Sequence, residues 1–222
     1  MFQSVRPYLS LGGFSDPVVC YQGALVADAE TGEYLLHEPI PLDVAREAIA
    51  ALEAAGFPPN CYVDDDLAVA SQTPYSEAYA AFQHIRVHEV GDLLAWLDRP
   101  PTKLVAVGEP PDLATLRDEL ERRFDGLLYI TTSLPWLLEL GHLGVSKATG
   151  AAFVANRLGI DREKIVAFGD GENDVEMIEW AGFGISVELG HPRLRKSADW
   201  ICPGPEDDGV ARVIESFLNS LA

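Results

Sequence analysis

The stretch IVAFGDGENDVEM, residues 165–177, carries an apolar run into a knot of acid: Asp170, Glu172, Asp174 and Glu176, with Asn173 among them. Ile165 to Phe168 do not alternate in polarity, which predicts a short strand buried on both faces, as in a parallel sheet. In open sheets of that kind ligands gather beyond the carboxyl ends of the strands, where Asp170 stands. Gly169 and Gly171 flank it and predict a sharp backbone turn. Asn173 and Asp174 then open a helix, a place where unpaired backbone N–H groups favour anions. One Asp or Asn at a helix start is an ordinary cap. Several oxygen donors together, with no His or Cys nearby, suit magnesium better than zinc.

Before this stretch, Ala151, Val154, Ala155 and Leu158 mark a helix that Gly159 ends. Lys147 stands at its start, in GVSKATG, where a cation opposes the helix dipole. Pairing with the carboxylates and with a phosphate would account for so unfavourable a placement. After it come the strand FGISV, the strand DWICP and a last helix displaying Val210, Val213, Ile214, Phe217 and Leu221. Strand, helix, strand, helix predicts a doubly wound α/β architecture with a parallel sheet.

Toward the N-terminus the texture differs. Phe2, Val5 and Leu9 recur at helical spacing before Gly12 and Gly13. PVVCYQGALVAD is an apolar run broken at Gln22-Gly23, and ETGEYLLHEPI reads as a turn and a returning strand. Ala45, Ile49 and Leu52 mark a helix stopped by Gly56. Short strands around CYV and LAVAS are joined by Asp64, Asp65 and Asp66, residues typical of a hairpin turn. A second amphipathic helix carries Leu113, Leu116, Leu120 and Phe124 between the strands KLVAV and LLYIT. Residues 40–141 therefore read as helices laid on a small antiparallel sheet.

Composition narrows the partners. The chain has 222 residues and a formal charge of −19, from 16 basic and 35 acidic residues. That argues against nucleic acid or an anionic membrane, both of which need a basic footprint. No apolar run reaches the roughly 18 to 20 residues of a membrane span, and no secretory layout opens the chain, so a cytoplasmic location is expected. Cys20, Cys61 and Cys202 read as small buried hydrophobes.

GVSKATGAAFVANRLGI, IVAFGDGENDVEMIEWAGFGISVELGHPRLRKSADWICP and DDGVARVIE together resemble the haloacid dehalogenase superfamily, in particular its Cof-type phosphatases. QGALV at 22–26 looks like that family's NGALV loop, with Gln22 in place of the usual Asn. The resemblance implies a core of residues 1–39 and 142–222, and an inserted α+β cap of residues 40–141. It implies hydrolysis of a small phosphorylated metabolite: an aspartate nucleophile attacks the phosphate, a second aspartate two residues on serves as acid and base, and magnesium neutralises developing charge. Lys147 and Asp170 take catalytic positions by this analogy, with Asp170 and Asp174 on the metal. Gln22, Gly23, Asn173 and Glu139 fall on the substrate side.

Family members open with a strand ending in DxDGT and a second, TGR-like motif. This chain begins where that motif would have just finished, so about 40 to 50 residues, a strand–helix–strand unit, are expected to be missing. The 222 residues alone are then expected to be inactive. Self-association, completing the core sheet, is one way to fill the gap, and a re-paired sheet is another. Two alternatives stay open: a naturally shortened, non-catalytic relative that binds a ligand or partner, and weak catalysis through Asp64 or Asp66.

Overall fold

The computed structural model describes residues 1–220. Leu221, expected on the last helix, lies outside them. Contacts divide the chain into two compact units, residues 1–145 and residues 146 onward.

The first unit opens with α1 (Phe2–Gly12) and a three-stranded antiparallel sheet of β1 (Val18–Cys20), β2 (Leu25–Ala27) and β3 (Tyr34–His37). Then follow α2 (Leu42–Ala54), β4 (Asn60–Val63), β5 (Asp66–Val69), α3 (Pro74–Gln83), β6 (Val87–Glu89), α4 (Leu93–Trp96), β7 (Lys103–Val107), α5 (Pro110–Arg123), β8 (Leu128–Leu134) and β9 (Leu137–His142). The strands form a six-stranded sheet in the order β6-β5-β4-β7-β9-β8, antiparallel except for the β5–β6 pair. Helices were expected on this sheet, and one face has them: Cys61, Ala68, Leu104, Ala106 and Leu138 meet Ile49 and Leu52 of α2 and Leu113, Leu116 and Leu120 of α5. Its other face is covered too. Tyr62, Leu67, Val69, Val105 and Leu137 pack with Phe2, Tyr21 and Leu25 and with Tyr79 of α3.

Residues 1–39, which the resemblance puts with the core, thus share a hydrophobic cluster with the middle of the chain. Asp65 helps to hold them there. The β4–β5 pairing matches Val63 with Asp66, leaving Asp64 and Asp65 as a two-residue hairpin turn with φ of 53° and 67°, the twist such turns need. Asp65, buried, accepts the backbone N–H groups of Phe2 at 3.0 Å and Gln3 at 2.8 Å and the Tyr21 hydroxyl at 2.5 Å. A residue 63 positions away therefore supplies the side-chain cap that the start of α1 lacks locally.

The second unit comprises α6 (Lys147–Leu158), β10 (Val166–Gly169), α7 (Val175–Trp180), β11 (Phe183–Val187), α8 (Pro192–Ser197), β12 (Trp200–Cys202) and α9 (Gly209–Ser220). Its sheet is wholly parallel, in the order β10-β11-β12. Gly159, at φ 66°, ends α6 in the left-handed conformation that favours glycine. The expectation that IVAF is buried on both faces is corrected. β10 pairs only with β11 among the described residues, so its far edge is open, and Val166 is 37% exposed. The three cysteines are free and buried, as expected.

Candidate active site

In the second unit, α6 begins at Lys147 because Ser146 and Thr149 close a capping box, each side chain accepting the other's backbone N–H. Lys147 Nζ donates to Asp174 Oδ1 at 2.5 Å. The second oxygen, Asp174 Oδ2, accepts the backbone N–H groups of Asp170 at 3.0 Å and Gly171 at 2.9 Å. Asp174 is 2% exposed. Burial alone would push its carboxyl upward. The Lys147 charge, the lysine hydrogen bond and the two backbone N–H groups outweigh that and hold it below the usual carboxylate range.

One expectation changes here. The glycines are required for a different reason than a sharp turn. Neither has a positive φ. A Cβ at Gly169 would stand 2.6 Å from Asp174 Cβ, and one at Gly171 would press on Asn173 Oδ1. Glycine is needed because the side chains of Asn173 and Asp174, both buried, fold back against the loop.

Asp170 is left on the outside of this knot. Its carbonyl accepts the His191 N–H at 2.8 Å. Its carboxylate is exposed and carries no hydrogen bond or ion pair among the described residues. Lys147, Asp170, Asp174, Phe168, Met177 and Ile214 border an open cavity of about 790 Å³. Glu172 pairs instead with Arg193 at 2.7 Å, which uses one member of the basic cluster on α8.

The donor set suits magnesium in kind. Among the described residues no group of three or more His, Cys, Asp and Glu side chains could hold a metal ion. Magnesium, however, keeps several waters and is commonly bound by one or two carboxylates plus the substrate's phosphate. One free carboxylate at the end of a parallel strand fits that habit. Asp174, with both oxygens engaged, acts in this geometry as the clamp on Lys147 and the loop.

Gln22, Gly23 and Glu139 belong to the first unit, where a second polar network gathers. Tyr21 and Gln22 both adopt left-handed backbone, φ 52° and 58°, followed by Gly23 at 103°. Such strain persists only where the surroundings over-determine it. Tyr21 is tied to Asp65, and Gln22 Nε2 donates to Glu139 Oε2 at 3.1 Å. The same carboxylate takes Lys103 Nζ at 3.1 Å and the Ser133 hydroxyl at 2.5 Å. Lys103 also lies over the rings of Tyr21 and Tyr62, 5.5 and 5.4 Å from their centroids. Burial opposes charge on Glu139, but Lys103 and the hydrogen bonds from Ser133 and Gln22 leave its carboxyl lowered. Lys103 is raised by Glu139 against the same burial. The pair is ionised. Glu139, expected to face substrate, here serves Lys103, a residue the sequence reading passed over. Its signal was a lone lysine opening the apolar strand KLVAV opposite a lone glutamate in LLELG.

Asp64 and Asp66, weighed as substitute nucleophiles, are engaged as well: Asp64 pairs with Arg99 at 3.1 Å and Asp66 accepts from Gln3 at 3.2 Å. No helix of the described residues is long and apolar enough to cross a membrane.

A parallel strand running into GDGEND, with a lysine from the preceding helix bonded to the second aspartate, defines an α/β domain whose polar site lies beyond the carboxyl end of a strand. The chain belongs to the haloacid dehalogenase-like hydrolases, whose pattern matches residues 1–214. It is 28% identical over 231 aligned positions to the 5-amino-6-(5-phospho-D-ribitylamino)uracil phosphatase YitU of Bacillus subtilis (strain 168), covering 96% of this chain and 83% of that protein. Over 77 residues it is 43% identical to a phosphoglycolate phosphatase of Archaeoglobus fulgidus, covering 35% of this chain and 34% of the relative. Among solved structures, a haloacid dehalogenase-like hydrolase from Bacteroides thetaiotaomicron superposes with a TM-score of 0.84 at 26% identity, covering 96% of this chain and 82% of its own.

Proposed function

We propose that the protein's chemistry is magnesium-dependent hydrolysis of the phosphate monoester of a small metabolite, with residues 40–141 as the cap. The observation that carries this reading is the Lys147–Asp174 pair beside the unengaged carboxylate of Asp170. Asp170 would hold the metal, whose contribution is to neutralise charge on the phosphoryl oxygens. Lys147, kept in place by Asp174, supplies a fixed positive charge next to it. Asn173 is assigned to the substrate side. Gln22, Gly23 and Glu139 act through the network they share, which sets the shape of the strained turn. Relatives named for phosphatase activity on a ribitylamino-uracil phosphate and on phosphoglycolate support the reaction class. They differ enough in leaving group that no single substrate follows.

A second reading, a relative that binds a phosphorylated ligand without turnover, is favoured by one observation: of the DxD pair at 64 and 66, Asp64 sits in a hairpin turn paired with Arg99 and Asp66 opens β5. Both readings expect the chain to bind magnesium weakly. Calorimetric titration with magnesium chloride should show binding that Asp170→Asn removes and Glu172→Gln leaves intact. Hydrolysis of p-nitrophenyl phosphate that Asp170→Ala abolishes would support the first reading and overturn the second. Absence of any Asp170-dependent magnesium binding would overturn the metal assignment.

The open edge of β10 and the exposed apolar side chains of Phe183, Trp200, Ile201, Ile214 and Phe217 also favour self-association. Sedimentation velocity at micromolar concentrations should show species heavier than the 24.1 kDa chain. A single monomer boundary across the concentration series would count against it.

A further inference from the structure

A smaller cavity lies entirely in the first unit, at the end of the six-stranded sheet where β5 and β7 finish and β4 begins. It measures about 270 Å³, just under the usual range for small-molecule sites. Asn60 lines it, is 3% exposed, and its Nδ2 has no hydrogen-bond partner. A buried donor left unmet is uncommon in folded proteins and calls for an acceptor atom. The surrounding charge restricts which acceptor. Glu109 and Asp112 border the same space, both exposed, with no hydrogen bond or ion pair from either carboxylate among the described residues. The neighbouring helix starts do little for an anion. Thr73 and Ser76 already cap α3, and α5 opens with Pro110 and Pro111, which have no N–H to give. A phosphate or carboxylate is therefore repelled. An amine would satisfy the two acids and leave Asn60 unmet. A hydroxyl does both, accepting from Asn60 and donating to a carboxylate. Phe57 and Tyr75 also line it.

We propose that this cavity binds a small, neutral, polyhydroxylated ligand of about monosaccharide size, with Asn60 donating to it, Glu109 and Asp112 accepting from it, and Tyr75 covering a ring face. The proposal does not depend on the phosphatase reading. It is tested on the full chain by titration followed through backbone amide resonances, with D-glucose and myo-inositol as neutral probes and spermidine and inorganic phosphate as charged ones. The expected result is saturable shifts at residues 60 and 107–109 with a neutral probe at millimolar concentration. Binding should be about tenfold weaker in Asn60→Leu and in Tyr75→Ala, the value of roughly one ordinary contact. Tyr75 and Glu109 are exposed, so Tyr75→Ala and Glu109→Gln keep the test decisive if Asn60→Leu does not fold. No saturable shift with either neutral probe, as when a water alone serves Asn60, overturns the proposal. So do shifts with phosphate or spermidine only, and neutral-probe binding unchanged in both surface variants.

Discussion

Replacing Glu139 with alanine is expected to destabilise the first unit by about 3–5 kcal/mol, the cost of leaving one member of a buried ion pair without its partner. The ammonium of Lys103 has nowhere to go. Its side chain is 9% exposed and that of Glu139 7%, and the charge lies against the rings of Tyr21 and Tyr62. The loss also removes one hydrogen bond from each of Ser133 and Gln22, and the left-handed turn at residues 21–23 loses one of its ties. Urea denaturation of single and paired variants separates these effects. Glu139→Leu combined with Lys103→Met removes both charges and keeps volume, so it should recover most of the stability lost by either change alone. If Glu139→Ala costs under about 1 kcal/mol, the value of an exposed pair, Lys103 reaches water and the network is not closed. Acid gives an independent readout. The lowered carboxyl of Glu139 contributes stability that is present above its unfolded value and is lost as pH falls through the ordinary carboxylate range toward the folded one. Raised Lys103 contributes stability that persists until pH climbs past the ordinary lysine value.

The difference between what the sequence disclosed and what it hid follows from the range over which each signal acts. β10, β11 and β12 were legible because each is a short apolar run with Gly, Asp or Pro at one end or both, and α6 because its periodic apolar face and the Gly159 that ends it lie close together. Lys147 announced itself by standing where a helix start disfavours a cation, and its bond to Asp174 explains the placement. The stretch from Gln72 to Arg99 went unread. Its helices α3 and α4 and strand β6 are short, and Tyr75 and Phe82 point apolar surface outward, blurring the period. KLVAV hid its own partner for another reason. When both faces of a strand are covered there is no alternation to read, so Lys103 looked like an end residue rather than half of an ion pair. The tie from Asp65 to Phe2 and Gln3 has no local signature at all, since its members stand more than sixty positions apart.

The same reasoning makes Asp174 the residue whose loss should most disturb the acidic loop. Asp174→Ala strands the backbone N–H groups of Asp170 and Gly171 and releases Lys147, for an expected cost of about 2–4 kcal/mol. The lower bound is below that for Glu139 because the Lys147 side chain is 30% exposed and can turn its ammonium to water. Hydrogen exchange reads the site directly: amide protection at Asp170 and Gly171 should fall in Asp174→Ala and in Gly169→Ala, where an added methyl meets Asp174 Cβ. Lys147→Met should leave those two amides protected, since their acceptor is the other oxygen. In the wild-type chain the protection should persist below the pH at which an ordinary aspartate protonates, about 3.9, because the folded carboxyl is lowered. It should then fade as pH drops through that lowered value. If both amides exchange equally fast in wild type and in Asp174→Ala, the loop is held by something other than this carboxylate. Lys147 would then have no fixed anchor beside Asp170, and the charge arrangement on which phosphate-ester chemistry depends would not be built into the fold.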